Sequence, residues 1–403
     1  MPASRRPFDI VHLAQTTFPE DPRPRREAMI AAETGARVVI VVIGGGRDAR
    51  RVSRYGRIAV VRLEGERRRG SAVGYVGEYI DFLLRAWALI RHDPRFQSAR
   101  IFHVHTLPDF LVGATRNARK RGARVILDLH EIFPEFTASK FPGWKGRIGR
   151  RVALWLERWS RRQADVVVTV NRAVESELRS RPARSHERIA VVHNFADPAE
   201  FGPQRLTTGM IQNPVRLVYH GTLTPLYGLD LAITAVARAR ESGIDVSLDL
   251  FGSGPSASSL ADLITRLGLH DRVQLRGIVP HHVLRDLLPA YDAGLVPTRL
   301  DVMTRFSLST KLLEYIHLGL PVIIPAIPTY LDYFPPACAW YFEPNSATAM
   351  ARAITEFVGA EPGERVQRAA AAQAASAAQL DPELDAAVLK GLYEEMLGLG
   401  EPA

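Results

Sequence analysis

Short apolar runs alternate with longer amphipathic stretches along most of this chain. In the first half the runs are DIVHLA (9–14), ARVVIVVI (36–43), IAVVRL (58–63), IFHVHT (101–106), RVILDLH (124–130), DVVVTV (165–170) and IAVVHN (189–194). Helix-period stretches separate them, at 25–34, 74–92, 109–121 and 147–163. The second half repeats the theme with VRLVYHG (215–221), VSLDLFG (246–252), RVQLRG (272–277), AGLVP (293–297), PVIIP (321–325) and AWYF (339–342). Continuous Val/Ile/Leu strands between helices predict parallel sheets covered on both faces. Two such units in succession predict two Rossmann-like domains. The stretch 194–214 is rich in Pro, Gly and polar residues and lacks periodicity, so it reads as the boundary. The Ala-rich segment 368–379 reads as helix.

Length and composition agree. At 403 residues the chain exceeds what one core fills, and its 46% apolar and 24% charged content is ordinary for globular proteins. Cys338 is the single cysteine, which excludes an internal disulfide and fits a reducing compartment. MPASRRPFDIVHLA enters a strand-like run early, without a signal-peptide pattern, and no run of 18 apolar residues occurs. A cytoplasmic location is the expectation. Residues 1–200 carry 37 basic and 22 acidic side chains, a net of +15, against 15 and 21 in 201–403, a net of −6. The basic half suits an anionic partner, although an Arg-rich composition alone gives the same asymmetry.

Candidate chemistry gathers at strand ends in the second half, where open parallel sheets bind ligands. Gly221-Thr222 follows one strand, Gly252-Ser253-Gly254-Pro255 another, and Arg299 a third. These glycines let a backbone approach a ligand closely, although turn glycines look the same. The stretch FSLSTKLLEYIHLGLPVII (306–324) reads as a helix starting near Ser309, closed by Gly319, then a buried strand. Lys311 and Glu314 lie in its first turns, with the cation first. That order opposes the helix dipole, so a bound anion accounts for it better than helix stability does. A phosphate would meet free amides and Lys311, and two vicinal ribose hydroxyls could donate to Glu314.

On these residues the chain resembles the retaining glycosyltransferases of family 4, of GT-B fold. The resemblance covers nearly the whole sequence. It rests on TKLLEYIHLGLPVI (310–323), YDAGLVPTR (291–299), LFGSGPSASSL (250–260), LGLHDRVQLRGIVPHHVLRDLLPAYD (267–292) and HGTLTPLYGLDLAI (220–233). In the first half it rests on DPRPRREA (21–28), HVHTLPDF (103–110), LDLHEIFPE (127–135), ADVVVTVN (164–171) and VVHN (191–194). It implies an α/β fold with two Rossmann-like domains, their parallel sheets facing a central cleft. The acceptor domain would be 1–200 and the nucleotide-sugar domain 201–375, with a helical segment 376–403 packing back on the first.

The resemblance also implies roles. Glu314 holds the ribose. Lys311 and the amides of Thr310 to Leu312 hold the diphosphate. Gly221, Thr222, Gly252, Gly254, Pro255, Arg276 and Gly277 border the donor, with Arg299 and Arg305 assisting. His130 sits where relatives place a histidine against the donor sugar. Glu131, His105 and Arg23 line the acceptor side of the same cleft. The implied reaction moves a sugar from a UDP- or GDP-sugar to a hydroxyl of a glycan or a polyprenyl- or lipid-linked acceptor, with no metal and no other cofactor. No HExxH-like ligand spacing occurs. Three positions depart from the pattern: Phe306, where many relatives carry a second Glu, and Thr222 and Tyr227, where many carry Arg and Lys.

A GT-B nucleotide-sugar epimerase and a non-catalytic binding protein share this fold. No strand is followed by the GxGxxG turn of a nicotinamide dehydrogenase, and no nucleic-acid partner is implied. The basic segment 144–163, with Trp155 and Trp159, suits an anionic membrane surface at the inner face of the plasma membrane, or equally a scaffold helix packed on the sheet.

Overall fold

The computed structural model describes residues 6–44, 52–65, 72–140, 144–196, 198–203 and 205–399. The first five residues, 197 and 204 in the boundary stretch, and 400–403 lie outside the described residues. The chain forms two compact units, one of residues 1–193 with 382–403, the other of 194–381.

The first unit carries strands β1 (Ile10–Leu13), β2 (Val38–Gly44), β3 (Val52–Tyr55), β4 (Ile58–Glu64), β5 (Ile101–His105), β6 (Arg124–Leu129), β7 (Val166–Thr169) and β8 (Ile189–Val191). Their sheet order is β3-β4-β2-β1-β5-β6-β7-β8. All pairs are parallel except β3 with β4. That antiparallel edge departs from the all-parallel expectation. Val52-Ser53-Arg54-Tyr55 is mostly exposed, so it carries no apolar run to announce a strand. The central strands are buried on both faces, as their composition requires.

The second unit carries β9 (Val215–His220), β10 (Val246–Phe251), β11 (Val273–Gly277), β12 (Ala293–Leu295), β13 (Val322–Pro325) and β14 (Trp340–Phe342), in the order β11-β10-β9-β12-β13-β14 and entirely parallel. One face of this sheet packs on Ala232, Ile233, Val236 and Ile354, the other on Leu312, Tyr315, Ile316 and Tyr330.

The unit limits differ from those expected. Residues 194–200 do not belong to the first unit, because Ala196 and Phe201 are buried in the second core with Leu284 and Leu288. Residues 376–381 also stay there, held by the helix Pro362–Gln379 and by buried Leu380. The chain then returns to the first unit as the helix Pro382–Leu397. Leu389, Leu392, Tyr393 and Leu397 are buried in the first core beside Ile10, Ala28 and Ile101. Each aliphatic side chain buried there contributes about 1.5–3 kcal/mol before entropy is counted.

Candidate active site

In the second unit the parallel register pairs His220 with Phe251, so the turns after β9 and β10 lie side by side. The Gly221 amide donates to Phe251 O at 2.9 Å, and the Gly252 amide to Gly277 O at 2.7 Å. Gly252 has φ +134, and a Cβ on it would lie 1.8 Å from Gly221 O, so no other residue fits. Gly254 similarly leaves no room for a Cβ, since Leu223 N and O would stand 2.7 and 2.3 Å from it. A cavity of about 280 Å³ opens here, lined by His220, Gly221, Thr222, Gly252, Ser253 and Val279 among others.

The helix Thr310–His317 starts beside this cavity. Leu312, Leu313, Tyr315 and Ile316 bury its inner face, which fixes its rotation. Gly319, at φ +75, closes it: the amides of Gly319 and Leu320 donate to Ile316 O and Tyr315 O. In the first turn the Leu312 amide already donates to Ser309 O, so Leu312 contributes a buried apolar side chain and not a free amide. Ser309 caps through its extended backbone without a side-chain hydrogen bond. Thr310 is exposed at the helix start.

Glu314 and Lys311 are both buried, at 8% exposure each. Glu314 Oε2 lies 3.0 Å from His220 Nε2, but the contact is too poorly aligned for a hydrogen bond, so both atoms keep capacity for a ligand. His220 is held edge-on against Tyr315, whose hydroxyl accepts from the His220 amide at 3.1 Å. The Lys311 chain passes over Gly221, where a Cβ would stand 3.0 Å from its Cε. Burial brings the Lys311 ammonium down to about 8, with Glu314 acting in the opposite sense. A buried ammonium of this kind, next to a glycine turn and at a helix start, offers a site for an anion.

The other predicted donor residues are less direct. Arg276 grips Asp249 at 2.9 and 3.3 Å, and Asp249 also accepts from Tyr291 OH at 2.5 Å. Gly277, at φ +71, supplies the carbonyl that Gly252 uses. Pro255 is exposed in the turn before the helix Ala257–Arg266. Arg299 is not free for phosphate. It pairs with Asp230 at 2.6 Å, donates to Pro225 O at 3.1 Å, and borders a separate cavity of about 420 Å³. Arg305 is exposed and lies over the Phe306 ring, 5.0 Å from its centroid. Asp301 accepts from the Met303 and Thr304 amides and so caps the turn Thr304–Phe306.

In the first unit a cavity of about 490 Å³ is lined by Gln15, Glu78, Tyr79, His105, His130 and Glu131, among others. His130 Nε2 lies 2.7 Å from Asp128 Oδ2, and the His130 amide donates to Thr106 Oγ1 at 3.2 Å. Burial pushes the Glu131 carboxyl up. Arg23 does not line this cavity. Its guanidinium is buried beneath, donating to both Asp128 oxygens at 2.9 and 2.7 Å and to Val192 O at 2.8 Å. An arginine with every direction occupied positions Asp128 rather than a substrate.

Beneath the cavity lies a cluster that sequence reading did not assemble. His105 Nε2 meets His12 Nδ1 at 3.0 Å, and His103 Nδ1 meets Tyr393 OH at 2.6 Å. Glu27 Oε2 stands 3.3 Å from His103 Nε2. Burial pushes Glu27 up to about 8 and holds His12, His103 and His105 down, hence neutral. Burial opposes ionisation of Asp128 as well, but Arg23 and His130 outweigh it and hold Asp128 well below the usual carboxylate range. Glu27, His103, His105 and Asp128 are close enough for one metal ion by distance. The rings of His103 and His105, however, are stacked 4.5 Å apart at 10°. Imidazole lone pairs lie in the ring plane, so one ion cannot meet both rings as they stand, and Arg23 already supplies the cation. The only sequence signals were the period-2 spacings His103/His105 and Asp128/His130, which put each pair on one face of its strand.

Two sequence profiles match: Glycosyltransferase Family 4 over residues 28–200, and Glycosyl transferases group 1 over 207–375. The chain belongs to the family 4, group 1 glycosyltransferases. Among curated relatives, WcaL of Escherichia coli K12, a candidate colanic acid biosynthesis glycosyltransferase, is 24% identical over 182 residues, which is 42% of each chain. The match thus spans about two-fifths of that relative's length. Sucrose-phosphate synthase from Thermosynechococcus elongatus superposes with a TM-score of 0.78 at 16% identity, covering 98% of this chain and 100% of that one. Alr3699/HepE of Anabaena, solved in complex with UDP-glucose, gives 0.69 at 16% identity, covering 98% and 100%. These likenesses establish a GT-B glycosyltransferase fold.

Proposed function

We propose that this glycosyltransferase moves a sugar from a nucleoside-diphosphate donor to a hydroxyl of a glycan or lipid-linked acceptor, with retention at the anomeric carbon. The observation that carries this reading is Lys311, a buried ammonium at a helix start beside the Gly221 turn, with Glu314 one turn further on. The diphosphate is held by the Lys311 ammonium and the Thr310 and Lys311 amides, the ribose by Glu314, and the base by the cavity between His220 and Val279. Negative charge grows on the leaving diphosphate as the glycosidic bond breaks, and Lys311 stabilises it in place of a metal. The departing phosphate accepts the acceptor's proton. The cavity of His105, His130 and Glu131 receives substrate, with Asp128 fixing the His130 tautomer.

The acceptor class draws support from the surface of the first unit. The helix Trp144–Gln163 exposes Ile148, Val152 and Trp155 in a row, beside exposed Arg147, Arg151 and Arg158. The helix Ala72–His92 exposes Ile80 and Leu84. Apolar rows bordered by arginines suit the surface of an anionic bilayer. Among the described residues no helix is long and apolar enough to cross a membrane. We place the enzyme peripherally on the cytoplasmic face of the plasma membrane, in surface polysaccharide or glycolipid synthesis.

The test is a thermal-shift screen of UDP-, GDP- and other nucleotide sugars. It is followed by turnover with and without a chelator and by NMR of the product's anomeric configuration. Binding of one nucleotide class, chelator-insensitive turnover and retention are expected. An inverted product would remove the retaining mechanism. Conversion of one nucleotide sugar into its epimer, without acceptor and without net release of nucleotide, would point to an epimerase.

A further inference from the structure

Lys311 poses a problem that its proposed role leaves open: what holds a buried ammonium while the site is empty? A desolvated cation ordinarily loses its proton or pairs with a carboxylate. Among the described residues Lys311 makes no ion pair, since Glu314 is turned toward His220. Its Nζ lies 4.1 Å from the centroid of the Tyr227 ring and 5.3 Å from that of Tyr219. We propose that Tyr219 and Tyr227 form an aromatic seat that keeps the Lys311 ammonium charged and aimed until an anion arrives, which makes Tyr227 a positioning residue for the transfer. The proposal rests on the reading of Lys311 as the diphosphate ligand.

The chemistry favours rings over a carboxylate here. A carboxylate would hold the ammonium but cancel its charge, and that pair would have to break for each donor. A ring face attracts the cation through its quadrupole and leaves the three N–H donors free. The seat is also braced. Tyr219 is fully buried, and its hydroxyl donates to Thr222 O at 2.9 Å. Tyr227 ends the turn Pro225–Tyr227 and is followed by Gly228 at φ +60. A Cβ on Gly228 would stand 2.3 Å from Pro297 O, so the turn sits hard against the next loop. Arg299 ties it there, donating from its backbone to Leu226 O and from its side chain to Pro225 O. Arg299 thus acts through the seat and not on phosphate. The titratable groups facing Lys311 are Glu314 on its own helix, His220 and Tyr219 on β9, and Tyr227, with Tyr330 next to the two phenols. Burial keeps Tyr219 and Tyr330 far above the ordinary phenol range, so they remain neutral rings.

The sequence makes the test clean. Its lysines are Lys120, Lys140, Lys145, Lys311 and Lys390, so the full chain grown with ε-¹³C lysine yields few signals. The signal lost in Lys311→Met identifies Lys311, and its pH midpoint is then followed. In Tyr227→Leu the midpoint should fall by about one pH unit, the size expected when a cation–ring attraction is lost. Turnover should fall about ten-fold, and its alkaline limb should move down with it. Tyr227→Phe, which keeps the ring, should hold both. If Tyr227→Leu does not fold, Tyr227→Met serves the same comparison. Equal midpoints in wild type and the ring-less variant would overturn the seat. UDP is the separate probe of the underlying reading: it should raise the Lys311 midpoint in wild type. A Lys311 signal that ignores UDP would sink the diphosphate role, while the Tyr227 comparison still decides the seat.

Discussion

In the proposed donor site Glu314 and Lys311 would act through different physics, and their variants should separate accordingly. Glu314→Gln keeps the shape but weakens acceptance from ribose hydroxyls. A charge-assisted hydrogen bond is worth about 1.5–3 kcal/mol, so donor affinity should fall roughly ten-fold or more by calorimetry. Unchanged affinity would remove Glu314 from the ribose. Lys311→Met should act on turnover at saturating substrates, by ~10²–10³, because charge stabilisation matters most in the transition state. A variant with normal turnover and only a raised donor requirement would reduce Lys311 to a grip. The pH dependence follows from burial. In the empty site Lys311 loses its proton near 8, so kcat/KM should fall as pH rises through about 8. With donor bound, the diphosphate favours the charged form and kcat should persist to higher pH. A single alkaline limb shared by both parameters would contradict this. Lys311 and Glu314 were legible because they stand three apart, in an order that helix stability disfavours. Their supports were not. His220, Tyr219 and Tyr227 come from a strand and a turn some 80 or more residues earlier, and only the parallel register brings them to the helix. Arg299 misled for the complementary reason: its spacing suits a ligand, but Asp230, far away in sequence, takes its charge.

At the level of elements, buried strands were legible and the exposed one was not. Every apolar run became a strand, and the central ones are apolar throughout because a parallel strand buried on both faces must be. β3 lies at an exposed edge, so its residues answer to solvent and leave no pattern. The helix Trp144–Gln163 shows how far a charge run can be trusted. Arg161 is not a surface cation: it is 1% exposed and paired with Glu157 and Glu187. Arg150 is tied to Glu135, and Arg162 donates to Ala183 O. The exposed residues of this helix available to the proposed bilayer contact are Arg147, Ile148, Arg151, Val152, Trp155 and Arg158. The enzyme should therefore sediment with anionic vesicles and be released by salt. Trp155→Ser with Arg151→Ser and Arg158→Ser should abolish this while leaving donor binding intact. Equal sedimentation with neutral and anionic vesicles would argue against an electrostatic contribution. Arg161→Ser should instead destabilise the fold, since it leaves the Glu187 carboxylate buried without its cation and Glu157 with Arg181 alone.

Across the whole molecule the two-unit plan was legible from alternation, but the return of the chain to the first unit carries no periodic signal of its own. What marks it is long-range chemistry. Asp385 accepts from the His193 amide at 2.8 Å, Arg188 pairs with Glu395 at 2.6 Å, and Tyr393 reaches His103. Through His103 the returning helix touches the buried cluster that ends at His130, and that cluster should set the pH response of the first unit. Glu27 is the informative member. Burial raises its carboxyl from an ordinary value to about 8, so between about 4.5 and 8 the native state binds a proton that the unfolded chain has released. The stability this contributes is full below about 4.5 and is lost as pH rises through about 8. Thermal unfolding of the wild type should therefore weaken from pH 5 toward pH 8.5. Glu27→Gln mimics the protonated carboxyl, so it should cost little at pH 5 and flatten that slope. A Glu27→Gln chain with the wild-type slope would show that Glu27 is ionised in the native state. The Arg23–Glu27 contact at 3.1 Å would then be a full ion pair that overcomes the cost of burial.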